Sequence, residues 1–219
     1  MKTPPSAQLT RIYKSLLQHF GPQHWWPGET RFEIIVGAIL TQNTNWENVT
    51  KAIRNLKGSG LLTPLAMRKV SRARLAQKIR PSGYYNIKAR RLKHFVGFLF
   101  SQYQGSLRKM AGVPWETLRP KLLAVNGIGP ETADSILLYA FGKPVFVVDA
   151  YTKRFLSRHK RLSSENDYHD IQAFFMRHLK RDTRLFNEYH ALLVRLGKDY
   201  CRPVPRCILC PLRELSRRT

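Results

Sequence analysis

The stretch Leu123-Ala-Val-Asn-Gly127-Ile128-Gly129-Pro130-Glu131-Thr132-Ala133-Asp134-Ser135-Ile136-Leu137 decides the fold. One helix ends, a Gly-Ile-Gly turn follows, and a second helix opens with Pro130 at its first position, where a missing N–H costs nothing. Two glycines permit positive φ and leave backbone N–H groups uncovered, so the turn and the start of the second helix can hold a phosphate. A plain helix–helix corner would use the same residues. Charge bears on the choice: 38 Lys and Arg against 14 Asp and Glu leave a formal net charge of +24 on 219 residues. That excess favours a nucleic-acid partner over a merely solvated basic surface.

On either side of the hairpin, apolar residues recur at helical spacing. Leu9, Ile12, Tyr13, Leu16 and Leu17 form one stripe, Val49, Ile53 and Leu56 a second, and Leu92, Phe95, Val96 and Leu99 a third in a basic helix over about 86–104. Further helices are predicted near 115–125, 130–141, 149–159, 167–179 and 182–200. Only Pro144-Val-Phe-Val-Val148 is β-rich, and a lone strand has nothing to pair with, so it reads as an extended connection. The fold class expected is all-α, in two helical lobes. One spans 30–140 and ends in the hairpin; the other combines 1–29 with 141–219.

At 43% hydrophobic and 24% charged residues the chain is not generally disordered. Its apolar runs fall well short of the ~18 residues a membrane span needs, and its basic residues are spread out, not gathered on one amphipathic segment, so no membrane partner is expected. No apolar stretch follows Lys2, so a secretory signal is not expected, a cytoplasmic location is, and disulfides are not. A monomer is expected.

After the hairpin comes Phe141-Gly142-Lys143-Pro144-Val145-Phe146-Val147-Val148-Asp149-Ala150-Tyr151-Thr152-Lys153-Arg154. Acidic residues are scarce here, and Asp149 follows four apolar residues and precedes a basic helix. It suits an N-cap, and a cap can also be a catalyst.

Together these residues resemble the helix-hairpin-helix DNA glycosylase superfamily, marked by this hairpin and a Gly/Pro-containing loop before an Asp. The likeness extends to Phe32-Glu-Ile-Ile-Val-Gly-Ala-Ile-Leu-Thr41-Gln42-Asn43-Thr44 and to Arg80-Pro81-Ser82-Gly83-Tyr84-Tyr85-Asn86-Ile87-Lys88-Ala89. It follows the endonuclease III branch over roughly 25–210, nearly the whole chain. The resemblance implies a cleft between the lobes, a double-stranded DNA partner, and excision of a damaged base flipped out of the stack. Asp149 would be the catalytic carboxylate, stabilising an oxocarbenium-like sugar and orienting water. Gln42 would fill the gap in the duplex. With it, Asn43, Gly127, Ile128, Gly129, Thr132, Lys153 and Arg154 would contact DNA.

One departure bears on mechanism. Bifunctional members carry a Lys two residues after the second hairpin glycine, where its amine forms a Schiff base and leads to strand cleavage. Glu131 stands there, and a carboxylate cannot form the imine. The expectation is a monofunctional glycosylase without abasic-site lyase activity, and Lys153 reads as a surface residue, not a substitute. For the substrate pocket, Trp25-Trp26-Pro27 and Trp46 flank the Thr41–Thr44 stretch, and with Glu131 they resemble the 3-methyladenine glycosylase subgroup. Aromatic faces attract cationic rings by up to ~2 kcal/mol when water is excluded, which suits an N-alkylated purine. Core packing is the other use for such tryptophans.

Cys201, Cys207 and Cys210 are the only cysteines. Their Cys-x5-Cys-x2-Cys spacing reads as iron–sulfur or zinc ligation, or as a metal-free vestige. The endonuclease III branch often carries a [4Fe–4S] cluster here, and Ser216 stands where the fourth Cys would fall, so the ligand set is incomplete. Arg202, Arg206, Arg213, Arg217 and Arg218 make this end basic. Two other functions remain open: a glycosylase for uracil or thymine mismatches or oxidised pyrimidines, with Asn43, Asn45 and Asn48 reading base edges, and a non-catalytic helix-hairpin-helix DNA-binding module.

Overall fold

In the computed structural model, residues 4–159 and 166–216 are described. Arg217 and Arg218 lie outside the described residues, as does the side chain of Ser216. Among the described residues every regular element is helical, as the apolar spacing predicts. No helix among them is long and apolar enough to cross a membrane.

The elements in chain order are α1 (Pro5–Phe20), α2 (Arg31–Leu40), α3 (Trp46–Gly58), α4 (Pro64–Lys69), α5 (Arg72–Lys78), α6 (Tyr85–Tyr103), α7 (Leu107–Ala111), α8 (Trp115–Leu123), α9 (Pro130–Ser135), α10 (Ala150–Arg158), α11 (Tyr168–His178), α12 (Thr183–Asp199) and α13 (Arg213–Ser216). Their starts follow capping chemistry. The side chains of Thr30, Asn45, Thr63, Ser71, Ser106, Asp149 and Asp182 each accept from a backbone N–H three residues on, which supplies an acceptor for a donor the helix leaves over. Asp167 and Asp170 form a reciprocal capping box at the start of α11. The second helix of the hairpin departs from the expectation of one continuous α-helix. Beyond Ser135 it widens to π geometry over Ile136–Ala140.

The chain folds as two compact units, Trp26–Lys143 and Met1–Trp25 with Pro144–Thr219. In the first, α2 is buried on nearly every side, from Phe32 to Leu40, as its almost wholly apolar sequence requires. It packs on α3, α6, α9 and the π turn, while α4 and α5 pack on α6. In the second unit α12 packs on α10 and α1. Tyr189 of α12 donates to the Leu9 carbonyl of α1 at 2.9 Å. Gly197 admits the ring of Tyr151 so closely that a Cβ there would lie 2.3 Å from Tyr151 Cδ1, which lets α10 and α12 approach. The β-rich run 145–148 is buried and carries no regular secondary structure. Gln172 Nε2 donates to the Phe146 carbonyl at 2.7 Å, so a helix side chain takes the place of a neighbouring strand. The Phe146 ring stacks on Phe175 at 4.0 Å.

Candidate active site and nucleic-acid interface

The hairpin is built as its sequence requires. Ile128 N–H donates to the Val125 carbonyl, Gly127 sits at φ +92°, and Pro130 starts α9. The two hairpin helices are fastened by a buried ion pair. Arg119 of α8 meets Asp134 of α9 with Nε–Oδ1 at 2.7 Å and Nη2–Oδ2 at 3.0 Å, and the Asp134 side chain is fully buried.

Gln42 is docked on this hairpin. Its Nε2 donates to the Gly127 carbonyl at 3.0 Å and to Thr132 Oγ1 at 2.9 Å, and its Oε1 accepts from Arg91 of α6. Gln42, Gly127 and Thr132 therefore meet in space, and Arg91, absent from the sequence-derived set, joins them. Its stem crosses the turn so closely that a Cβ on Gly127 would lie 2.2 Å from Arg91 Cγ. Asn43, next to Gln42, is exposed with φ +53°. One turn before Arg91, Lys88 is buried and its Nζ donates to the carbonyls of Leu40 at 2.8 Å and Ser82 at 2.6 Å. Burial, with a smaller push from the Arg91 charge, lowers its pKa to about 8.

Two of the candidate pocket tryptophans also meet. Trp26 and Trp46 pack edge to face with centroids 5.0 Å apart, and Trp26 packs on Tyr139 of the π turn at 5.0 Å. Gly37 of α2 lets Trp26 lie close, since a Cβ there would be 3.3 Å from the indole. All three rings belong to unit 26–143, with Trp26 and Trp46 half-buried. Glu131 is exposed in the first turn of α9. Trp25 is half-buried and closes the first segment of the other unit.

Asp149 lies in that other unit, 9% exposed, as the N-cap of α10. Its Oδ1 accepts from Thr152 N at 2.7 Å and from the buried Thr152 hydroxyl at 2.8 Å. Its Oδ2 stands 3.6 Å from Nε2 of His190, a buried residue of α12. Burial lowers the His190 pKa and the Asp149 charge opposes that shift. Of the two basic residues after it, Lys153 is exposed. Arg154 is turned inward, its Nε donating to the Cys201 carbonyl at 2.7 Å and its guanidinium lying over the Tyr151 ring.

The cysteines are unequal: Cys201 is buried, Cys207 exposed and Cys210 between. Burial pushes the Cys210 thiol up, and the charges of Cys201 and Cys207 add to that shift. Arg158 Nη1 lies 3.5 Å from Cys201 Sγ. Among the described residues no three His, Cys, Asp or Glu side chains are arranged to hold a metal ion. A [4Fe–4S] cluster takes four thiolates, so the described side chains do not fit that group.

The comparisons with known proteins point to one family. A family model described as HhH-GPD superfamily base excision DNA repair protein matches residues 36–181. A candidate DNA repair glycosylase of Methanocaldococcus jannaschii is 46% identical over 216 residues, covering 98% of each chain. The endonuclease III of Sulfolobus acidocaldarius is 30% identical over 194 residues, 87% of this chain and 84% of its own. Among solved structures, the H. pylori 3-methyladenine DNA glycosylase bound to 1,N6-ethenoadenine matches with a TM-score of 0.76 and 32% identity, over 90% of this chain and 98% of that one. An endonuclease III–DNA complex matches in fold with a TM-score of 0.83 at 23% identity, over 100% of this chain and 98% of that one.

Proposed function

The chain belongs to the HhH-GPD superfamily of base excision DNA repair proteins, and from there we propose that it is a monofunctional DNA N-glycosylase acting on N-alkylated purines such as 3-methyladenine. The observation that carries the reading is the Asp149 carboxylate, buried yet held at one oxygen by two Thr152 donors. Those bonds fix the carboxylate's orientation. Oδ2 keeps lone pairs for a water or a developing positive charge.

The glycosidic bond is out of reach inside a base stack, so the lesion must be flipped out, with the hairpin gripping the backbone and Gln42 taking the vacated space. An N-alkylated purine carries positive charge and leaves readily once the sugar cation is stabilised. Asp149 supplies that stabilisation and aligns water for attack at the anomeric carbon. Glu131 at the hairpin has no amine to capture the sugar, so hydrolysis ends at an intact abasic site. The packed rings of Trp26, Trp46 and Tyr139 support the substrate class, since aromatic faces prefer a cationic ring to a neutral one. The name of the H. pylori relative, a 3-methyladenine DNA glycosylase, supports the same class.

The test is product release from methylated duplex DNA, with the wild type and Asp149→Asn. Asn is a good cap, so the variant should fold and bind DNA while excision falls by about 10²–10⁴-fold. Free 3-methyladenine, with nicks appearing only after hot alkali, is the expected result. Strand breaks without alkali would overturn the monofunctional assignment. Release of uracil, mismatched thymine or an oxidised pyrimidine in place of the alkylated purine would overturn the substrate, and an unaltered Asp149→Asn rate would overturn the role of the carboxylate.

A further inference from the structure

Arg91 touches the two groups that the glycosylase reading assigns to DNA: the hairpin turn and Gln42. Its stem lies across Gly127. Its guanidinium donates to Gln42 Oε1, while the Gln42 amide donates to Gly127 O at 3.0 Å and Thr132 Oγ1 at 2.9 Å. Both ends of the Gln42 side chain are thus engaged on the protein: both Nε2 protons are used, and one lone pair of Oε1 is all that is left for a base in a duplex. The neighbouring elements have supports of their own. Lys88, one turn back on α6, grips the Leu40 carbonyl at the end of α2, and His94, one turn on, lies 3.1 Å from the Asn126 carbonyl beside the hairpin. Neither bond involves Gln42, so neither has to break when Gln42 is released.

We propose that Arg91 is both a positioning residue for Gln42 and a contact to the DNA backbone. In the free protein it holds Gln42 against the hairpin, and when a duplex phosphate reaches the turn the guanidinium passes to that phosphate and frees Gln42 for the duplex. The direction of the exchange follows from acceptor strength. An anionic phosphate oxygen binds a guanidinium more strongly than a neutral amide carbonyl does, and the planar fork matches two phosphate oxygens. Backbone contact and entry of Gln42 into the helix are then one coupled event, sensed before any lesion is met. The phosphate half rests on the glycosylase reading; the docking of Gln42 does not.

The experiment follows the Gln42 side-chain amide by NMR and measures binding to an undamaged duplex across salt concentrations, so no excision is required. In the free wild type the two Nε2 protons should be well separated from solvated glutamines, and saturating duplex should move them. Arg91→Met should move them without DNA, weaken duplex binding about tenfold at low salt, and reduce the slope of log Kd against log[salt] by about one. Arg91→Lys keeps the charge but not the fork. It should retain the salt slope and still loosen Gln42, which also covers the case of an unfolded Met variant. Unmoved Gln42 resonances in both variants would overturn the positioning role, and an unchanged slope in Arg91→Met would overturn the phosphate contact. Failure of the wild type to bind any duplex would overturn the phosphate half together with the function proposed above, while the DNA-free spectra would still decide whether Arg91 holds Gln42.

Discussion

Thr152 has two effects on Asp149, and they can be separated. Its backbone N–H makes the carboxylate a helix cap, while its hydroxyl adds a second donor to the same oxygen. Thr152→Val removes only the second. A hydrogen bond to a charged acceptor is worth about 1.5–3 kcal/mol, so kcat should fall by about tenfold with KM within about twofold, read by single-turnover and steady-state excision. An unchanged kcat would mean that backbone capping alone orients the carboxylate. The capping role of Asp149 was legible in the sequence, because a good cap residue stands directly before a helical pattern. His190 and Arg91 were not. The first sits in an apolar helical pattern that shows only packing, and the second, 49 residues from Gln42, sits in a basic run that reads as solvated surface. Contacts between distant positions leave no local period, and Arg154 shows the converse, a basic residue that looks suited to DNA yet is turned inward.

At the level of elements, the hairpin depends on fastening as well as on its glycines. The Asp134 carboxylate is wholly buried, and removing its Arg119 partner leaves a charge in a medium that solvates it poorly. Arg119→Leu should cost about 3–5 kcal/mol, and the double replacement Arg119→Leu with Asp134→Ala should recover part of it. Denaturant unfolding of the three variants measures this, and equal losses in the single and double variants would show that the pair contributes through packing alone. Helix α6 carries a second dependence. Below about pH 8 Lys88 is charged whether the chain is folded or not. Between about 8 and its ordinary 10.5 only the folded form is neutral, so the unfolded chain binds more protons and stability rises with pH. The wild-type Tm should therefore rise relative to that of Lys88→Met from about pH 7.5 to 9.5, and parallel curves would exclude a depressed lysine. Most long helices were legible from apolar spacing and polar caps. The short helices α4, α5 and α7 were not, since five to seven residues hold too few turns to show a period. The π turn was not legible either, since its residues are apolar throughout.

For the whole molecule, the formal charge of +24 makes ionic strength the strongest external lever. If about four phosphates are contacted, affinity for undamaged duplex should fall about a hundredfold between 50 and 200 mM salt. A fall of less than about threefold, measured by fluorescence anisotropy, would contradict a backbone-gripping protein. The division of the chain has a separate consequence, for the order in which it is made. The bond from Tyr189 to the Leu9 carbonyl joins the first helix to one near the other end, 180 residues away. On the ribosome, residues 26–143 are synthesised in one run and have their own partners at hand. Helix α1 is made before α11 and α12, the two helices it packs on. Its stripe of Leu9, Ile12 and Leu16 waits for both, so during translation it is open to chaperones and proteases for longer than the core of residues 26–143 is.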